Sequence, residues 1–180
     1  MIPPLAAISE LRGSAWSVLI ARQIFGRCPP FTAARLTTNA LRLLGVRIGR
    51  ASVFWGMPEL TGTGDVCARL QIGTYCGFNV RTYFDLTDKI TIGDHVAVGQ
   101  DVMFLTHAHD ASDPARRGGA IISAPIEVGN GAWLGARVTV MPGVKIGPGS
   151  VIGTSVVVTK DIPANMLVLG SRAISIAKWR

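Results

Sequence analysis

The sequence predicts an all-β core wound as a left-handed parallel β-helix of about five coils, and three observations predict it. Large apolar residues recur at every sixth position, and glycines keep step one position after many of them. The apolar content, 48% of the chain, is carried by aliphatic side chains, with only 7% of residues aromatic. A period of six is neither the 3.6 of an α-helix nor the 2 of a plain strand. It fits a short strand followed by a sharp turn, repeated at a fixed step.

The anchors run Ile48, Phe54, Leu60, Val66, Ile72, Phe78, Phe84, slip by two residues to Ile92, Val98, Phe104, and resume as Val128, Leu134, Val140, Ile146, Ile152, Val158. Two positions before each late anchor stand small or β-branched residues: Ile126, Ala132, Val138, Val144, Ser150 and Val156. Alternation along a strand sends anchor and pre-anchor to the same, inward side. The glycine track comprises Gly49, Gly73, Gly93, Gly99, Gly129, Gly135, Gly147 and Gly153. It suits corners whose backbone angles β-branched residues do not reach. Three hexads make one triangular coil of about 18 residues, and coils spaced about 4.8 Å apart as parallel strands fill 48–160 with roughly five turns.

The other elements follow in order. Residues 1–47 form a helical cap: two helices, about Ile8–Phe25 and Thr32–Leu44, broken at Cys28-Pro29-Pro30 and placed to cover the open edge of the first coil. Within the repeat, 105–125 fails the six-step pattern, because the on-step residues are Asp110, Arg116 and Ile122. That polar, glycine-bearing segment must loop out of the solenoid. Asp161-Ile162-Pro163 stops the repeat, and the tail 161–180 covers the last coil.

Composition narrows the function classes. Cys28, Cys67 and Cys76 make no Cys-x-x-Cys pair, which argues against a disulfide framework or a zinc-cysteine site and fits a reducing cytoplasm. The first 50 residues hold seven arginines against Glu10 alone, whereas the rest of the chain is nearly neutral. Such a basic front suits a solvated helical face, an anionic membrane or an acidic polysaccharide. No aromatic-rich motif accompanies it, which disfavours nucleic acid. The apolar run Ala15–Ala21 is too short to span a bilayer and lacks the flanks of a signal peptide.

Two of the three histidines, His107 and His109, stand at the root of the excursion. Loops projecting from a rigid scaffold often carry function, and imidazole is the side chain best matched to removing a hydroxyl proton near neutral pH. Two water-exposed loop histidines remain the plain alternative. A zinc site would need the distant His95 as third ligand.

Several stretches then resemble the hexapeptide-repeat O-acetyltransferases, the superfamily of the maltose, galactoside, nodulation-factor and virginiamycin enzymes. They are Ile-Thr-Ile-Gly-Asp-His from Ile90, Leu-Thr-His-Ala-His-Asp from Leu105, Ile-Glu-Val-Gly-Asn-Gly-Ala-Trp-Leu-Gly from Ile126, Met-Pro-Gly-Val-Lys-Ile-Gly from Met141 and Val-Val-Val-Thr-Lys-Asp-Ile-Pro from Val156. The front, Pro30-Phe31 through Leu41–Gly49, is similar to the colanic-acid type of exopolysaccharide acetyltransferase. The resemblance implies acetyl-CoA as co-substrate, no metal, a homotrimer with sites between subunits, and a sugar or polysaccharide hydroxyl as acceptor. Matched through Val102–His109, it puts the catalytic base on His109. It carries the coenzyme site to Ala136, Gly153, Thr154, Thr159 and Lys160. The acceptor site is expected around Asn79, Asp85 and His107. A family acceptor-binding asparagine, however, falls on Gly77, and Gly170-Ser-Arg-Ala replaces the commoner Gly-Asn-Pro-Ala.

Repeat geometry agrees with the coenzyme site. At 18 residues per coil Gly135 stacks on Gly153 and Ala136 on Thr154, which leaves an edge nearly bare of side chains for a pantetheine arm. Trp133 should face outward beside it, and Lys160 should stand near its end, where a coenzyme phosphate favours a cation. Asp85, Asp88 or a backbone carbonyl are candidates to orient the imidazole. A non-catalytic β-helix scaffold and a zinc-dependent, carbonic anhydrase-like hydratase are the rival readings.

Overall fold

In the computed structural model, residues 31–170 are described throughout, together with the backbone of 172–175 and single positions 20, 23, 24, 26 and 29. Of the expected first helix only positions 20, 23 and 24 are described, and they are helical; its remainder and the tail's end lie outside the described residues. Three parallel sheets form the walls of a triangular prism. Face A stacks Arg47–Ile48, Leu70–Ile72, Ile90–Ile92, Ile126–Val128 and Lys145–Ile146. Face B stacks Val53–Phe54, Gly77–Phe78, Ala97–Val98, Trp133–Leu134, Val151–Ile152 and Met166–Leu169. Face C stacks Glu59–Thr61, Tyr83–Asp85, Met103–Phe104, Thr139–Val140 and Val157–Val158.

The chain thus winds through five full coils and begins a sixth, in which Ile162 bridges to Ile146 and Leu167 pairs with Val151. The last described strand, Arg172–Ser175, turns back antiparallel on Met166–Leu169. The anchors fill the interior: Phe54 stacks on Phe78 with ring centroids 4.3 Å apart, and Phe84 on Phe104 at 5.1 Å. Outward residues on face A (Arg47, Gln71, Thr91, Glu127 and Lys145) are polar and exposed, whereas faces B and C present Trp133, Met103 and Val157.

Two details depart from the ideal repeat. Val66 keeps the six-residue step and is buried, yet it belongs to no sheet. It precedes a 3-10 turn, Cys67–Arg69, in an insertion between the first two coils, so Ile48 pairs directly with Ile72. The glycine track also has another cause than the one expected. Positive φ falls on the second corner residue, such as Tyr75, Arg81, His95, Asp101 and Arg137, each near +57° to +59°. Gly135 is required by close approach instead: a Cβ there would sit 2.8 Å from the Thr154 backbone nitrogen in the coil above. Coil stacking, rather than turn conformation, selects glycine at that position.

One described helix, α1 (Ala34–Leu43), covers the first coil. Thr37, Thr38 and Leu41 form its buried side. Its polar groups satisfy the open edge: Phe54 N–H donates to Thr38 Oγ1 (3.0 Å), and Arg42 donates to the carbonyls of Ile48 (3.2 Å) and Gly49 (2.8 Å). An edge strand so occupied is no template for another chain.

Candidate functional site

The excursion is an ordered hairpin. His107–His109 pairs antiparallel with Ile121–Ser123, and the hairpin leaves the third coil at the corner between faces C and A. Its root is clamped by Asp85, which is 1% exposed. Asp85 Oδ2 accepts from the backbone N–H of Thr106 (2.8 Å) and of His107 (2.9 Å) and lies 2.6 Å from His107 Nδ1. Oδ1 accepts from the N–H (3.1 Å) and hydroxyl (2.7 Å) of Thr87. Burial pushes this carboxyl up, but the hydrogen bonds from Thr87 and His107 outweigh it and hold it below its ordinary value. Asp85, expected among acceptor-binding residues, therefore has one oxygen taken up by the hairpin root and the other by Thr87.

The clamp yields a prediction. Asp85→Ala leaves the two buried N–H groups unpaired and should lower unfolding stability by about 2–4 kcal/mol. Because the folded carboxyl titrates below its unfolded value of about 3.9, its contribution is complete at neutral pH and is lost as pH falls from that value through the folded one. The gap between the urea midpoints of wild type and variant should be constant near neutral pH and narrow as pH falls below about 4.

Both histidines expose a nitrogen suited to base chemistry. The acceptors facing Nδ1 have no proton to give, so Nδ1 carries the hydrogen and Nε2 keeps a lone pair in the neutral ring. For His107 that acceptor is Asp85; for His109 it is the Gly119 carbonyl at 3.0 Å, across the hairpin. The rings lie 6.1 Å apart at 83°, His107 half-buried and His109 exposed. A backbone carbonyl is thus the orienter of His109, and Asp85 that of His107. Asp88 instead caps Lys89 N–H at 2.7 Å.

The second cluster lies at the corner between faces B and C. Trp133, Gly135, Ala136 and Thr154 line a groove of about 300 Å³, joined by Trp55, Gly77, Asn79, Ala97, Gly99 and Gln100. Gly153 stacks over Gly135 in the next coil, as the repeat required. Asn79 faces this groove, away from the hairpin. Trp55 and Gln100 were not found from sequence; both are ordinary outward residues until stacking brings them to one edge. At Gly77 there is no side chain, and a Cβ there would come within 3.2 Å of the Trp55 ring.

Thr159 and Lys160 occupy a different place from the one expected. They follow Val158 on face C and precede Ile162 on face A, so they turn the corner on the hairpin's side, and they line a cavity with Gly170, which stands one coil above Thr154. The strip runs along the prism, and a count along the chain did not show that five residues turn one corner. His95 stacks on Tyr75 (5.1 Å, 3°) at the corner between faces A and B. Among the described residues no three His, Cys, Asp or Glu side chains converge as a metal would require.

Comparison with known proteins places this geometry among relatives. The family described as bacterial transferase hexapeptide (six repeats) matches residues 125–160. The chain is 41% identical over 96 residues to the galactoside O-acetyltransferase of Escherichia coli (strain K12), covering 53% of this chain and 46% of that one. It is 35% identical over 138 residues to the protein named putative colanic acid biosynthesis acetyltransferase of the same strain, covering 76% and 71%. Among solved structures, a hexapeptide-repeat acetyltransferase of Vibrio cholerae O1 biovar eltor, complexed with acetyl-CoA, superposes with a TM-score of 0.73 at 26% identity, covering 94% and 87%. The chain spans about half the length of the first curated relatives it matches.

Proposed function

This chain belongs to the hexapeptide-repeat acetyltransferases, and we propose that it moves an acetyl group from acetyl-CoA directly to a hydroxyl of a sugar or polysaccharide precursor, with His109 as general base. The observation that carries this is the exposed imidazole of His109, its Nδ1–H held by the Gly119 carbonyl and its Nε2 bare. Acetyl-CoA supplies the thioester as acyl donor. The chain's part is to hold the pantetheine arm along Gly135, Ala136, Gly153 and Thr154 beside Trp133; the coenzyme's phosphates meet Lys160, next to Thr159, of the neighbouring copy, whose hairpin edge faces this groove. His109 Nε2 takes the proton of the acceptor hydroxyl as its oxygen bonds to the acetyl carbon, and returns that proton to the departing thiolate sulfur as the C–S bond breaks. The groove's narrow floor of glycine and alanine suits a thin arm.

Face C separates the hairpin's edge from the groove's edge in one chain, so the two meet only if His109 works against the groove of a neighbouring copy. A homotrimer about an axis parallel to the prism achieves that. A second reading is favoured by the short Asp85–His107 contact: His107 as base, in a carboxylate–imidazole pair. Initial rates of acetyl-CoA consumption against a panel of sugars and polysaccharides test the reaction itself. No consumption with any hydroxyl acceptor would leave the scaffold reading.

The basic N-terminal region is assigned to a peripheral contact with anionic membrane at the cytoplasmic face. Among the described residues no helix is long and apolar enough to cross a membrane. Arg12, Arg22 and Arg27 lie outside the described residues. Each arginine at an anionic surface contributes on the order of 1 kcal/mol, weakened by salt. Sedimentation with phosphatidylserine vesicles should fall when these three are neutralised, and more so at low salt. Equal binding by wild type and triple variant at low salt would remove the assignment.

A further inference from the structure

We infer that Trp55 is the platform on which the acceptor's ring rests, its indole meeting an apolar C–H face; this rests on the acetyl-transfer reading with a sugar acceptor and adds the residue that selects a ring. Copies related by an axis along the prism keep their coils level. The hairpin of one copy, leaving its third coil, therefore faces the third coil of the next, at Ala97, Gly99 and Gln100. Gly135, Ala136 and Thr154 lie above that level and belong to the coenzyme. Trp55, Gly77 and Asn79 lie below it, in the first and second coils, and are left for the acceptor.

The lower groove has the chemistry of a sugar site. The two indoles of the whole groove, Trp133 in the fourth coil beside the coenzyme's arm and Trp55 in the first, stand three coil spacings apart, roughly 14 Å. The floor between them, Gly77, Ala97 and Gly99, carries almost no side-chain volume. Two amides, Asn79 and Gln100, line it. Asn79 Oδ1 accepts from Val80 N–H (2.8 Å), which leaves its NH₂ as a donor for a hydroxyl. A pyranose matches this pairing: axial C–H groups on one face lie against an indole, and ring-edge hydroxyls meet amides. An open-chain polyol offers the same hydroxyls without a flat apolar face. Trp55 is also held in place: Phe31 N–H donates to the Trp55 carbonyl (2.9 Å), and the Phe31 ring backs the indole at 6.2 Å. The far edge of the indole occupies the space that a side chain at Gly77 would take.

The test compares acetyl-transfer kinetics for methyl pyranosides of galactose, glucose and mannose with those for sorbitol, in wild type, Trp55→Ala and Trp55→Phe, with acetyl-CoA affinity measured by calorimetry on each. The wild type should prefer at least one pyranoside over sorbitol. Trp55→Ala should raise the apparent KM for that pyranoside about tenfold, the scale of one aromatic contact, with the sorbitol KM and the acetyl-CoA affinity unchanged. Trp55→Phe should retain most of the preference. Should the alanine variant fail to fold, Trp55→Leu keeps apolar volume without an aromatic face and should show the same loss. An unchanged pyranoside KM in a folded Ala or Leu variant overturns the inference, as does an equal loss for pyranoside and sorbitol. A wild type that binds acetyl-CoA yet acetylates none of the pyranosides also overturns it, leaving the coenzyme assignment intact. A wild type that binds no acetyl-CoA overturns the acetyl-transfer reading and this inference together.

Discussion

His109→Ala lowers the rate of acetyl transfer by about a hundredfold or more, the usual scale for loss of a general base, while the affinity for coenzyme stays near wild type. The physical reason is local. His109 has its Nδ1–H on a backbone carbonyl of its own hairpin, so its removal takes away the base and leaves the fold of the root untouched. His107→Ala costs far less in rate, because that ring serves mainly as one more donor to Asp85 beside two backbone N–H groups. Steady-state kinetics on both variants, with folding checked by thermal melts, decides the matter. The reverse order of effects would assign the base to His107 and make Asp85 the group that orients it.

Ala136→Trp raises the apparent KM for acetyl-CoA strongly, with little direct effect on acceptor affinity. Ala136 is half-buried at the groove, while the anchor of its strand, Leu134, points into the core and is fully buried. An indole at 136 therefore fills the path of the pantetheine arm without entering the interior. At a surface with no binding role the same change would be close to neutral, as substitutions away from core and site usually are. The variant should melt and assemble like the wild type. Unchanged acetyl-CoA kinetics in that folded variant would move the coenzyme elsewhere, and the assignment of Thr154, Thr159 and Lys160 would fall with it.

How far the residues foretell this site depends on distance along the chain. The prism was readable because one inward residue in six has to be large and apolar, and that demand repeats in register from Ile48 to Val158. Its irregularities were not. Val66 satisfies the same spacing from an insertion, since an apolar plug and a wall residue look alike in one dimension. The stacking of Ala136 under Thr154 followed from coil length alone, because that coil step has no insertion. Lys160 is not stacked in that strip for the opposite reason: a few residues suffice to turn a prism corner, which carries a side chain from one edge towards another. The Asp85 clamp joins residues from successive coils through hydrogen bonds that no spacing rule encodes. Trp55 gave no signal either; only the missing side chain at Gly77, in the adjacent coil and 22 residues on in sequence, gives its ring somewhere to lie.

The measurement that bears most directly on the central claim, acetyl transfer by His109 of one copy across the coenzyme groove of the next, is complementation between the two impaired variants. Co-expressed in equal amounts, His109→Ala and Ala136→Trp chains should form mixed copies of the proposed trimer, in which some sites pair an intact histidine from one copy with an intact groove from another. Random assembly makes about a quarter of all sites whole, so the mixed preparation should regain about a quarter of wild-type acetyl transfer while each variant alone stays near its own low rate. Mixed trimers that assemble yet show no more than the average of the two separate variants would contradict a site shared between copies, and with it the role given to His109.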